Sequence, residues 1–205
     1  AVSPSRDLAD VFSKGTYLQD QNGDGIVDAI NARIVVPAKG VPEDLAAAGN
    51  IAARLGFESS AFTPGLGTVD SSVEPGAGAP PLILVGRSNS LVQRLITDKK
   101  VDLGALKPGQ GLVAFVPSAF GAQSALVVAG ADERGTLAAR APAAGRLPYV
   151  WQLRSDSLQS VQQEVRRFLQ QRGIRSSTST VTEAVYEHGN ERIAQLNVGL
   201  DAGAD

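Results

Sequence analysis

Residues 20–28, DQNGDGIVD, constrain this chain more than any other stretch. Oxygen-bearing side chains stand at the first, third, fifth and ninth places of that run, and a glycine stands at the sixth. A hard cation such as Ca²⁺ takes about six to eight oxygen ligands at roughly 2.3–2.6 Å, more than one carboxylate supplies. A short loop that turns back on itself can gather them. In that arrangement Asp20, Asn22 and Asp24 each offer a side-chain oxygen and Ile26 its carbonyl. Asp28 adds another oxygen, directly or through water, while Gly25 permits the sharp turn. The competing reading is an Asn-Gly/Asp-Gly turn whose acids face solvent. A turn of that kind needs far fewer such residues than this stretch carries, which favours the metal.

The spacing DxNxDGxxD resembles the calcium loops of EF-hand, dockerin-like and thrombospondin-type domains, and the resemblance implies calcium as the ion. At the twelfth place, where an EF-hand carries a bidentate glutamate, this chain has Asn31. An amide gives one oxygen and no charge, so a carboxylate from elsewhere, Asp7, Asp10 or a more distant acid, has to strengthen that end. The expected metal set is therefore Asp20, Asn22, Asp24, Ile26, Asp28 and Asn31. Apolar alternation after the loop points to a strand, where an EF-hand would continue into a helix. The loop is thus expected to be grafted before a strand.

With 205 residues, 43% of them hydrophobic and 20% charged, the chain can bury a real core. Aromatics make up only 5%, so Ala, Val, Leu and Ile must fill that core. A formal charge of −2 argues against a protein that gains affinity by neutralising many phosphates, so no nucleic acid partner is expected. Cysteine is absent, which excludes disulfides, zinc thiolates and a thiol nucleophile. No run approaches the roughly eighteen apolar residues of a membrane span. Calcium loops of modest charge fill where calcium is plentiful, outside cells. That, with the missing initiator methionine and leader, leads us to expect a secreted or periplasmic mature chain or excised fragment.

Along the chain, Leu8, Val11 and Phe12 have helical spacing, ended by Gly15. Ile30, Ala32, Ile34 and Val36 form one face of a candidate strand, with Arg33 and Val35 on the other. VPEDLAAAGNIAARLG predicts a helix with Pro42 at its first position and Glu43 and Asp44 at its positive end. Leu45, Ala48, Ala52 and Leu55 form its stripe, Ile51 lies beside them, and Gly56 serves as cap. Residues 63–80 are loop-like with room for a short strand. Leu82 to Val85 read as a strand covered on both faces, followed by a helix burying Leu91, Val92, Leu95 and Ile96. GQGLVAFVP and SALVVAG, separated by SAFGAQ, predict a hairpin and hence a mixed sheet. The next helix carries Leu137, Ala138 and Ala141 inward until Pro142 kinks or ends it. Tyr149 and Trp151 then cover the fold.

From Arg154 a second subregion is expected: a helix with Leu158, Val161, Val165, Phe168 and Leu169 on one face, capped by Gly173, then a hairpin around Gly189-Asn190. On that hairpin Val181 and Val185 face Ala194, Leu196 and Val198. Arg166, Arg167, Arg172 and Arg175 read as the helix's solvated side. The fold class is therefore α/β, a mixed sheet with helices in a two- or three-layer sandwich, plus a C-terminal helix and β-hairpin. Residues 1–153 form the calcium-loop and α/β domain. Residues 154–205 form a subdomain or complete the first.

Catalytic patterns are sparse. His188 is the only histidine, and no nucleophile elbow, zinc-protease helix or phosphate loop occurs. VGRSNS carries the main-chain donors of any strand-to-helix turn and is not assigned to a nucleotide. Glu58, Asp70, Glu74, Asp132, Glu133 and Glu183 share no catalytic spacing. The stretch from the apolar hairpin through the A-G-x-D-x-x-G turn, with Gly86, Gly111, Gly130, Asp132 and Gly135, is similar to known accessory domains. These are the non-catalytic α/β domains before the barrels of some secreted glycoside hydrolases, and modules of bacterial cellulose-synthase regulatory subunits. That similarity implies an accessory role beside other domains of a parent protein and a polysaccharide as partner. The resulting expectation is a calcium-stabilised, non-catalytic accessory domain of a secreted, carbohydrate-related protein. Two rivals stand beside it. One is a secreted hydrolase of polysaccharide or peptide. The other is a glycan-binding module exposing Tyr17, Tyr149 or Trp151.

Overall fold

The computed structural model describes residues 8, 11–12, 14–24, 26–147, 158–174, 176–185 and 192–200, and the chain divides into two compact units, residues 1–150 and 151–205. In the first unit the apolar run Leu82–Val85 is the middle strand, β5, of a five-stranded sheet. The strands before it are β1 (Leu18–Gln19), β2 (Ala29–Ile30), β3 (Arg33–Val36) and β4 (Gly67–Val69). After it come β6 (Gly111–Phe120) and β7 (Gln123–Gly130). The sheet runs β4-β3-β5-β7-β6, parallel except for β6, which pairs antiparallel with β7 across the two-residue turn Gly121-Ala122. Strands β1 and β2 form a separate antiparallel pair. The fold is mixed α/β.

Alternate residues of the sheet face opposite ways. Ile34, Ile83, Val85, Leu126 and Val128 pack on one side beneath helices α1 (Pro42–Phe57) and α3 (Glu133–Ala141), together with Val11, Phe12, Tyr17 and Leu18. Val35, Leu82, Leu84, Ala125, Val127 and Ala129 pack on the other against α2 (Ser90–Thr97). Three layers result, and every residue of β5 is buried because both of its faces are covered.

Some local expectations change. The apolar run from Ile30 to Val36 divides between β2 and β3, with Asn31 and Ala32 as the break, so its residues do not share one strand. Helix α1 buries Asp44, Ala47, Ala48, Ile51, Arg54 and Leu55, while Leu45 is 57% exposed. Hydrophobic spacing misplaces this face because it counts charged residues as solvated, whereas Arg54 and Glu58 are buried as a pair. That pair also carries the helix past Gly56: the Glu58 N–H bonds to the Arg54 carbonyl at 3.1 Å, and Glu58 is the cap.

In α3 the buried residues are Gly135, Thr136 and Ala139, with Leu137 half-buried and Ala138 and Ala141 exposed. Backbone approach sets this rotation. A Cβ at Gly111, Gly130 or Gly135 would run into main-chain atoms of its neighbours, and the Gly130 N–H donates to Thr136 Oγ1 at 3.1 Å. Pro142 ends the α-helical bonding, and residues Pro142–Arg146 form one π turn closed by Leu147 N–H to the Pro142 carbonyl.

The second unit holds α4 (Leu158–Gln171) and the antiparallel pair β8 (Ser176–Val185) and β9 (Arg192–Leu200). Gly173, at φ +69, caps α4 while the Ile174 N–H reaches the Leu169 carbonyl. Val181 lies opposite Leu196, and Glu183 opposite Ala194. Phe168 is 48% exposed instead of buried, with the Arg172 guanidinium 5.2 Å from its ring centroid. The residues 149, 151, 175 and 188–190 singled out above lie outside the described residues, as do Asp7 and Asp10.

Candidate functional site

Two places in the first unit concentrate polar chemistry. The first is the loop of residues 20–28. Strands β1 and β2 close it, pairing Gln19 with Ala29 and Leu18 with Ile30, and the Asp28 N–H bonds to the Gln19 carbonyl at 3.0 Å. Its acids fold inward over the loop's own N–H groups. Asp20 Oδ1 accepts from Gly23 at 2.8 Å and Asp24 at 3.1 Å, and Asp28 accepts from Gln21 at 2.8 Å and Asn22 at 3.3 Å. Asp24 accepts from the Ile26 N–H at 2.7 Å and from Asn22 Nδ2 at 3.2 Å. Lys14 pairs with Asp20 Oδ2 at 3.3 Å.

A carboxylate has about four lone-pair sites. The Asp24 and Asp28 carboxylates each accept two of these bonds and so keep acceptor capacity for a cation. The donor types suit a hard ion: three carboxylates, one amide and the carbonyl of Ile26, whose side chain is 60% exposed. Among the described residues no three Asp, Glu, His or Cys side chains already converge on a metal-sized point. Asn31 stands apart. Its N–H bonds to the Tyr17 carbonyl beyond the β1–β2 rungs, and it lines a different cavity with Gly15, Pro81 and Phe115.

The second place is a product of topology. From β3 the chain runs through α1 to β4 on one side, and from the adjacent β5 it runs through α2 toward β6 and β7 on the other. Neighbouring parallel strands that lead off in opposite directions leave a crevice beyond their carboxyl ends, where open α/β sheets take ligands. Here it measures about 530 Å³, and Lys39, Asp44, Arg87, Ser88, Asp132 and Glu133 line it. Asp44 forms its floor at 3% exposure. Its carboxylate lies against Gly86, where a Cβ would stand 2.7 Å from the Asp44 Cγ, and Gly86 has φ +90. Burial pushes the Asp44 carboxyl above the usual carboxylate range. The Val41 N–H opposes that rise, and Glu133 and Glu43 add to it.

Asp70 holds the rim. Its carboxylate accepts the Ala38 N–H at 2.8 Å and the Ser90 N–H at 2.7 Å, joining the loop after β3 to the start of α2. Burial raises the Asp70 pKa, but the N–H groups of Ser90 and Ala38 outweigh it and hold the group below its ordinary value. Asp132 caps α3 through Gly135 at 2.7 Å and also accepts from Gly109. Glu58 is paired with Arg54 at 2.6 Å, and Arg54 donates further to the carbonyls of Ala144 and Leu147. The concavity of about 680 Å³ beside Arg54 and Phe57 therefore has its central charge already committed. Of the acids scattered through the sequence, Glu133 faces the crevice and Glu74 is exposed. Tyr17 is wholly buried, with its hydroxyl 3.3 Å from the Leu82 carbonyl, and offers no platform for a sugar.

No protein-family model matches the sequence, and neither does any curated protein. Among the described residues no helix is long and apolar enough to cross a membrane. The sequence places Asp44 at the positive end of a helix and sets neither Lys39 nor Arg87 apart from other surface cations. The one signal available was the glycine directly after the apolar β5 run, which marks a close approach at a strand end.

Proposed function

We propose that the chain is a non-catalytic accessory domain of a secreted protein, stabilised by calcium held in the loop of residues 20–28. Asp20, Asn22, Asp24, the Ile26 carbonyl and Asp28 would hold the ion, while Asn31, the last of the expected set, lines a separate cavity. The ion supplies charge neutralisation: it offsets the repulsion between the loop's acids and fastens the β1–β2 pair. The observation that carries this reading is the closed loop itself, whose two end acids fold over its own N–H groups. An accessory role in a carbohydrate-related parent protein rests on the resemblance of the hairpin and the A-G-x-D-x-x-G turn. The non-catalytic reading is supported by the structural engagement of Glu58, Asp70 and Asp132.

A ligand bound only by the folded form raises stability by about 2.7 kcal/mol at one hundred times its Kd. Melting of the intact chain in millimolar calcium and in EDTA tests the proposal. An upward shift with calcium, reduced in Asp24→Asn, is expected. Turnover of polysaccharide or peptide by the purified chain would overturn the non-catalytic part.

A further inference from the structure

The crevice at the strand ends is independent of the calcium loop and carries its own chemistry. Asp44 is almost fully buried, yet its partner is a single main-chain N–H, from Val41, and no other hydrogen bond or ion pair reaches it among the described residues. The buried acid that caps α1, Glu58, has an arginine for itself. A buried carboxylate without a cation weakens the fold, so its place on the floor of an open crevice points to a partner supplied from outside.

The walls indicate the chemistry of that partner. Glu133 stands with Asp44 on the acidic side, and Asp132 beside them is committed to the Gly135 and Gly109 N–H groups. Lys39 and Arg87 provide the opposite sign, both exposed, and one Arg87 nitrogen is anchored to the Ala131 carbonyl at 2.8 Å. Helices α1 and α3 begin here and direct their positive ends to the same space. Among the described residues no aromatic side chain lines the crevice. A simple anion would meet Asp44 and Glu133 unfavourably, and a simple cation would meet Lys39 and Arg87.

We propose that this crevice binds a small zwitterion of the amino-acid type, its ammonium group against Asp44 and Glu133 and its carboxylate against Lys39 and Arg87. The volume is within the range of small-molecule sites, about 300–1,000 Å³. Gly86 is a positioning residue: its lack of a side chain lets the Asp44 carboxylate lie over the end of β5. The ammonium supplies the opposite charge that Asp44 lacks, and a cation beside it favours the carboxylate form that burial disfavours.

The test uses the full chain in EDTA, so that calcium plays no part in the outcome. The standard amino acids at millimolar concentration are the probes, with glucose and inorganic phosphate beside them, read by melting temperature and by calorimetric titration. At least one amino acid is expected to raise the melting temperature and to bind saturably. Asp44→Asn is expected to melt higher than the parent chain without ligand, because it removes the isolated buried charge, and to lose affinity at least about tenfold. Arg87→Met, altered at an exposed position, is expected to fold and to lose affinity similarly. Absence of any amino-acid response overturns the proposal. So does a response to phosphate or glucose in place of amino acids, or unchanged affinity in both variants.

Discussion

The loop of residues 20–28 and the crevice at the strand ends both gather acidic residues, but they treat the charge in opposite ways. In the loop each acid lies near the surface and is held by N–H groups a few residues away. In the crevice Asp44 is carried into the interior by a helix and meets groups from loops far along the chain. A local motif can satisfy its own acids, whereas a buried acid has only what the tertiary structure brings to it. The two ends of α1 repeat the contrast, since Glu58 has Arg54 and Asp44 has no side-chain cation in contact among the described residues.

Removing the paired cation should have the largest effect. Arg54→Ala leaves Glu58 buried without its partner and is expected to destabilise the chain by about 3–5 kcal/mol in chemical denaturation. Replacing both residues together by Met and Leu should restore much of that loss. If the single and double replacements were equally damaging, the contrast between paired and unpaired buried acids would fail.

Gly86→Ala comes next. It forces a side chain onto a φ of +90 and against the Asp44 carboxylate, at an expected cost of about 2 kcal/mol or more. In an Asp44→Ala background the steric part disappears and the cost should shrink to the backbone strain. Equal costs in the two backgrounds would show that the carboxylate does not occupy the place over Gly86.

Asp70 tests the rim through pH. Its pKa is lowered in the folded protein, so its contribution is present above the ordinary carboxylate range and is lost as pH falls through the depressed folded value. At neutral pH, Asp70→Asn should be less stable than the parent by about 1–2 kcal/mol, and the difference should vanish in acid. A difference independent of pH would remove the N–H contacts of Ala38 and Ser90 from the account.

The layered α/β architecture was legible because its signals are local. The unbroken apolar run Leu82–Val85 marks a doubly covered strand, and the short SAFGAQ spacing allows only an antiparallel return. Rotations of helices were less legible. Hydrophobic spacing puts Leu45 in the core of α1, but an ion pair occupies part of the buried face; α3 is turned by glycine contacts between backbones. The turn of residues 20–28 could be read from its spacing, while Asn31 lies just past the short strand that follows the loop. The crevice could not be read at all from one stretch, since Lys39, Asp44, Arg87 and Glu133 meet only through the divergence of β3 and β5.

The most direct test of the central claim is a thermal melt of the intact chain as calcium is titrated from EDTA to millimolar excess, paired with the same titration of Asp24→Asn. The account predicts a saturable rise in melting temperature for the parent chain and a smaller rise for the variant. Superimposable melts of the parent chain in EDTA and in excess calcium would contradict it.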